Sequence, residues 1–193
     1  MADVVNVLLA GVGGQGIILA SKILSTVLLD SGYHVKMSEV HGMAQRGGAV
    51  TTQVRFGEQV SSPIVGHGHV DILVAFEKME AARWVSHVKE GGKLVVNDFE
   101  FASAPILTGA RQYPTGILEH LSGKVETHVI PASRIARELG NVRVQNIVLL
   151  GALVRALELE RLDWERGIEQ QVKSAFRQIN LLAFEKGRSA FEK

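Results

Sequence analysis

The chain has 193 residues, 46% hydrophobic and 21% charged, with a formal net charge of +1. That size supports one domain with a sizeable core, and the small net charge argues against a general electrostatic grip on nucleic acid or an anionic membrane. There are no cysteines, which excludes disulfides, thiolate zinc sites and cysteine-ligated iron–sulfur clusters on this chain.

Residues 4–10 are nearly all apolar and β-branched-rich, the pattern of a strand buried on both faces. The run Gly11-Val12-Gly13-Gly14-Gln15-Gly16 follows it. Residues 15–31 then read as a helix ended by Gly32. Residues 33–38 read as a second strand, parallel to the first through a right-handed crossover. Residues 39–48 form a loop. Residues 49–56 alternate, with Val50, Thr52, Val54 and Phe56 on one face; across Gly57-Glu58 they are expected to form a hairpin with 59–65.

Residues 71–76 are another apolar strand, and 77–89 a helix that Gly91-Gly92 stops before a strand at 93–97. Residues 99–116, with Pro105 and Pro114, read mostly as loop, 117–121 as a helical turn and 125–130 as the last strand. A helix over 131–139 follows, then 144–157, then one capped by Asp163 and running to about Asn180, then 181–191. Residues 1–193 therefore read as a single α/β domain. It is a three-layer, Rossmann-like, mostly parallel sheet with a β-hairpin addition and a helical C-terminal third. The apolar stretch 147–154 is too short to span a bilayer. The start Met1-Ala2-Asp3 leads straight into a strand without a signal-like segment, so a cytoplasmic location is expected.

Chemistry concentrates in two loops. Gly11, Gly13 and Gly16 fit the dinucleotide pattern G-x-G-x-x-G, in which backbone N–H groups at a helix start face an anion. Glu39 stands about 20 residues on, at the end of the second strand, where a ribose-binding acid belongs. Gly14 and Gln15 replace the usual small or apolar pair, and Gln15 offers a donor and an acceptor at the mouth of the sheet. The second loop, His41-Gly42-Met43-Ala44-Gln45-Arg46-Gly47-Gly48, brings an imidazole, an amide and a permanent cation; it is expected beside the first, since both leave carboxyl ends of neighbouring strands. The plain alternative is that the glycines serve tight turns and Arg46 pairs with Glu39. The convergence of the two loops favours a binding surface. His41 has no partner at ligand spacing, so no metal is expected, and His67 and His69 sit in a separate loop. Glu77 and Glu80 suit a helix start, Asn97 falls at a strand end on the rim of the expected site, and Asn146 reads as buried or exposed. No G-x-S-x-G motif supports a hydrolase.

Taken together, Gly11–Gly16 and Ser38–Gly48 resemble the gamma-type domain of 2-oxoacid:ferredoxin oxidoreductases, and within it the small (beta) subunits of the indolepyruvate enzymes. Val54-Arg55-Phe56-Gly57, Ser62-Pro63, Asp71–Glu77, Glu80-Ala81 and Gly91-Gly92 extend the likeness over nearly the whole chain. The resemblance implies the small subunit of an enzyme that oxidatively decarboxylates aryl 2-oxoacids. Coenzyme A, a substrate, takes the acyl group and ferredoxin the electrons. It places thiamine diphosphate and 4Fe-4S clusters on a large partner chain, with no cofactor bound tightly by this one and no catalytic acid or base on it. Gly11, Gly13, Gly14, Gln15, Gly16, Glu39, His41, Gln45, Arg46 and Gly47 would then line a cleft against that partner, with ferredoxin contacted only indirectly. The helical third suits closure of the core, or a homodimer contact. Two other readings stay open: a stand-alone NAD- or FAD-binding domain, and a non-catalytic scaffold.

Overall fold

The computed structural model describes residues 4–42 and 47–191. Strand β1 (Val5–Val12) leads through the glycine turn into helix α1 (Ile17–Asp30), then β2 (His34–His41) and β3 (Ala49–Gly57). The chain continues as β4 (Val70–Ala75), α2 (Lys78–Trp84), β5 (Val88–Asn97), two short helices α3 (Ala104–Leu107) and α4 (Ile117–Ser122), and β6 (Glu126–Ile130). Helices α5 (Ala132–Glu138), α6 (Gln145–Ala156), α7 (Trp164–Gln171) and α8 (Arg177–Ala190) complete it. The sheet order is β2-β3-β1-β4-β5-β6. The four strands β1, β4, β5 and β6 pair in parallel, while β3 runs antiparallel to both its neighbours.

The α/β architecture and the hairpin addition are as expected, but the hairpin is a different one. β3 pairs with β2 along its length, His34 opposite Gly57 and His41 opposite Val50. Residues 59–65 form no strand. β3 is thereby inserted between β1 and β2, so the expected neighbours of the first crossover are separated by a strand. The reason lies in the two faces of β3. Val50, Val54 and Phe56 enter the main core, and Phe56 meets Tyr33 edge-on at 5.4 Å. On the other face the polar residues hold down the segment that was expected to pair. Gln53 accepts from the Val65 N–H at 2.6 Å, and Arg55 donates to the Ser62 and Ile64 carbonyls and to Asn6 Oδ1. A strand covered on both faces belongs inside a sheet; the less buried β2 takes the edge.

Alternate residues of β1 feed two cores. Val7 and Leu9 join the larger, with α1, α5, α6, α7 and α8; Leu8 and Ala10 join the smaller, with α2 and α4. From Asn146 to Val154 every residue of α6 is buried, as befits a helix that is apolar all round. Helix α8 packs on it so closely that a Cβ at Gly151 or Gly187 would strike the facing backbone. The C-terminal third thus closes the core. Asp163 caps α7, accepting from the Arg166 N–H at 3.1 Å. That helix stops at Gln171, because Val172 turns extended and packs against the main core. Gly91-Gly92 does not end α2. It lies inside β5, at a break in register between Val70 and Ile72 of β4, with Gly91 at φ 72°. None of the described helices is long and apolar enough to cross a membrane.

Candidate functional site

The two loops meet at the carboxyl end of β1, by a route different from the one expected. The second loop returns as β3, whose first residue pairs with the last of β1, Ala49 opposite Val12. The ladder continues past both strands. Gly13 donates to the Gly48 carbonyl at 2.8 Å, and Gly47 (φ 79°) donates to the Gly13 carbonyl at 3.4 Å. The glycine turn and the start of β3 are therefore one stitched unit. Beside it lies a cleft of about 430 Å³ lined by Val12, Gly13, Gly14, Gly16, Ile17, Ile18, His41 and Val50.

Within the turn, Gly13 and Gln15 direct their N–H groups into the protein, Gln15's to the Val12 carbonyl at 3.2 Å. Those of Gly14 and Gly16 have no partner among the described residues. The first turn of α1 adds the unpaired N–H groups that every helix start carries. Gly14 (φ 102°) and Gly16 (φ 81°) adopt left-handed backbone, which other residues rarely do. Among the described residues of the lining only His41 is titratable, and none is a carboxylate. The wall can therefore receive a polar or anionic group on backbone N–H donors without repulsion.

Gln15 is not on that wall. It is 7% exposed, its Oε1 accepts from the Val12 N–H at 2.7 Å and its Nε2 donates to the Phe76 carbonyl at 3.2 Å. Its amide braces the turn from behind and ties it to the end of β4. Gly11 is buried in the same spot; a Cβ there would lie 2.6 Å from Gln15 Oε1 and 2.7 Å from Phe76 Cβ. Glu39 is also displaced from the role its spacing suggested. It sits half-buried in β2 opposite Thr52, two strands from β1 and outside the cleft lining. With strands about 4.8 Å apart, that is roughly 10 Å from the strand a dinucleotide acid should adjoin. Gln45 and Arg46 lie outside the described residues.

Asparagines and a carbonyl that the glycine pattern did not single out support the site. The Phe76 carbonyl also accepts from Asn97 Nδ2 at 3.2 Å. Asn97 is fully buried and exchanges hydrogen bonds with Ser133, whose hydroxyl reaches Gln145 Oε1 at 2.8 Å. Asn146 donates to the Gly16 carbonyl at 3.1 Å, and its Cγ would lie 2.9 Å from a Cβ at Gly16. One polar seam thus runs along the carboxyl ends of β1, β4 and β5 to α5 and α6. Its signal in the sequence was an amide at the end of a strand and another at a helix start.

Glu77, read as a simple helix-start acid, does more. It caps α2 by accepting from the Glu80 N–H at 2.9 Å and also accepts from the Phe101 N–H and the Tyr113 hydroxyl. Burial and the Glu77 carboxylate push the Tyr113 phenol well above its ordinary pKa, so it stays a proton donor. Lys78 binds Asp98 and Glu100 at 3.1 and 2.9 Å; burial opposes its charge, but the two acids outweigh it and raise its pKa. Residues 98–116 are strapped to the mouth of the sheet by these bonds. Away from the site, His67 donates to or accepts from Ser86 and faces His87.

The profile of the pyruvate ferredoxin/flavodoxin oxidoreductase family matches residues 6–190. The chain belongs to this family. It is 35% identical to indolepyruvate oxidoreductase subunit IorB of Thermococcus kodakarensis over 96% of this chain and 95% of that one. The gamma subunit of a keto/oxoacid ferredoxin oxidoreductase from Geobacter sulfurreducens has the same fold, at TM-score 0.73 and 23% identity, over 98% and 97% of the two chains. The fold also matches part of a longer chain: 97% of this one aligns with 31% of the Magnetococcus marinus 2-oxoglutarate:ferredoxin oxidoreductase chain, at TM-score 0.73 and 23% identity. As a member, the chain is a small subunit of a 2-oxoacid ferredoxin oxidoreductase, and a larger subunit completes the enzyme.

Proposed function

We propose that this subunit serves an indolepyruvate-type enzyme, which oxidatively decarboxylates aryl 2-oxoacids, hands the acyl group to coenzyme A and passes the electrons to ferredoxin. The observation that carries the reading is the end-to-end match to an IorB chain at 35% identity. The family resemblance assigns thiamine diphosphate to the large partner, and a 4Fe-4S cluster does not fit this chain. It has no cysteine, and the described residues hold no group of three or more His, Asp or Glu side chains able to ligate a metal ion. We therefore place both on the large partner, in the cytoplasm.

In this reading the cleft at the glycine turn is one wall of a composite site, closed by the partner. Gly13, Gly14, Gly16 and His41 present the wall; Gly11 and Gln15 shape it from behind, Gly47 stitches it to β3, and Gln45 and Arg46 are further binding residues in this reading. Glu39 supports the outer strand. The test is expression of the tagged chain with candidate large subunits. Capture of a cysteine-rich, thiamine diphosphate-bearing partner and indolepyruvate-dependent ferredoxin reduction are expected. In that complex Arg46→Ala should lower turnover at least tenfold while assembly persists. Capture of no such partner, or full activity in the variant, would overturn the corresponding part of the proposal.

A further inference from the structure

We propose that the large subunit docks an acidic, apolar-tipped segment into a groove that flanks the glycine turn, a reading that rests on the composite enzyme proposed above. The groove, of about 440 Å³, lies between the start of α6, the break between α7 and α8, and the first turn of α1. Leu19, Val144 and Val172 give it an apolar floor, and Asn146 joins them while holding the Gly16 carbonyl. Groove and cleft therefore flank the same start of α1, and a partner seated in one reaches the other.

Its charge identifies the occupant. Arg143 and Lys173 line the groove, both are exposed, and neither has an ion-pair partner among the described residues. Among the described residues no carboxylate lines it. Arg155 and Arg188, by contrast, each face an acid of this chain. Beside the two cations stand apolar side chains open to solvent, Phe176 at 48% and Val142 at 58%. Phe176 is displayed by a fixed turn, since its N–H donates to the Lys173 carbonyl at 2.8 Å and its own carbonyl accepts from Asn180 at 2.7 Å. An exposed aromatic beside an unpaired arginine is the composition enriched at protein interfaces. Cations without internal partners are complementary to carboxylates on a partner, and they set its on-rate and register.

The experiment measures affinity of the purified chain for its captured large subunit across a salt series, with circular dichroism confirming that each variant is folded. The double variant R143E/K173E and the single variant F176A are each expected to bind at least tenfold more weakly at ~0.1 M ionic strength. The wild-type affinity should fall with salt and that of the double variant should not. Arg161→Glu, past the opposite end of α6, should bind as the wild type does. Unchanged affinity in both groove variants overturns the inference and leaves the composite enzyme standing. A wild-type self-association lost in R143E/K173E, with partner capture unchanged, assigns the groove to a second copy and also overturns it. A wild-type chain that captures no partner defeats the functional reading itself.

Discussion

Gln15 sets the shape of the glycine turn with one amide, its oxygen on the Val12 N–H and its nitrogen on the Phe76 carbonyl. Both bonds are buried, and leaving a buried donor unsatisfied costs about 1–3 kcal/mol. Gln15→Ala is therefore expected to lower stability by about 2–3 kcal/mol in urea unfolding of the isolated chain, a loss that a side chain serving only a bound ligand would not show. His87 makes a second prediction. Its ring is half-buried and lies 4.7 Å from that of His67 and 4.8 Å from Trp84. Burial first, and then His67, hold its pKa below the ordinary 6.5. The folded state takes up this proton less readily than the unfolded chain does. Its contribution is thus complete above about pH 6.5 and is lost as pH falls through the lower folded value. The urea midpoint should drop between pH 7 and pH 5, and His87→Gln should make that drop shallower; an unchanged slope would reject the assignment.

Among the elements, the strap of residues 98–116 hangs on few bonds. Lys78 holds its start through Asp98 and Glu100, and Glu77 holds Phe101 and Tyr113. Most of its other side chains are exposed, Leu107 to 76%. Removing a hydrogen bond to a charged group frees about 1.5–3 kcal/mol of local restraint. Tyr113→Phe should therefore raise the rate of trypsin cleavage after the exposed Arg111 about tenfold, with little change in the global melting temperature, because neither core includes the strap. Equal cleavage rates would show that the Glu77 contact does not hold the segment. The same scale explains where the strand pattern misled. The alternation in 49–56 marked a strand correctly, yet it could not choose between the hairpin with 34–41 and that with 59–65. Val50, Val54 and Phe56 suit either partner. The choice fell to Gln53 and Arg55, which bond the backbone of 62–65 from across the sheet face.

For the whole molecule, insertion of β3 sets the glycine turn apart from the acid that its spacing pointed to. A dinucleotide fold needs its ribose acid on the strand beside β1, and here that place is held by β3, with Glu39 one strand further out. The isolated chain is accordingly expected to show no concentration-dependent thermal shift with NAD or FAD up to millimolar levels. A saturable rise in melting temperature would restore the stand-alone nucleotide reading.

The sequence by itself determined the α/β class, the glycine turn at a helix start and the family, because apolar periodicity, glycine placement and paired loop motifs are local and survive without coordinates. It also made Gln15, Asn97 and Asn146 noticeable, as polar residues where the pattern expects none. Only the tertiary structure decided which way they point. Gln15 turns inward to the Phe76 carbonyl, 61 residues on, and Asn146 reaches back 130 residues to Gly16; such pairings have no trace in local spacing. The order of strands was decided in the same way, by which faces long-range contacts bury, and that order separates Glu39 from the glycine turn whose spacing it matched.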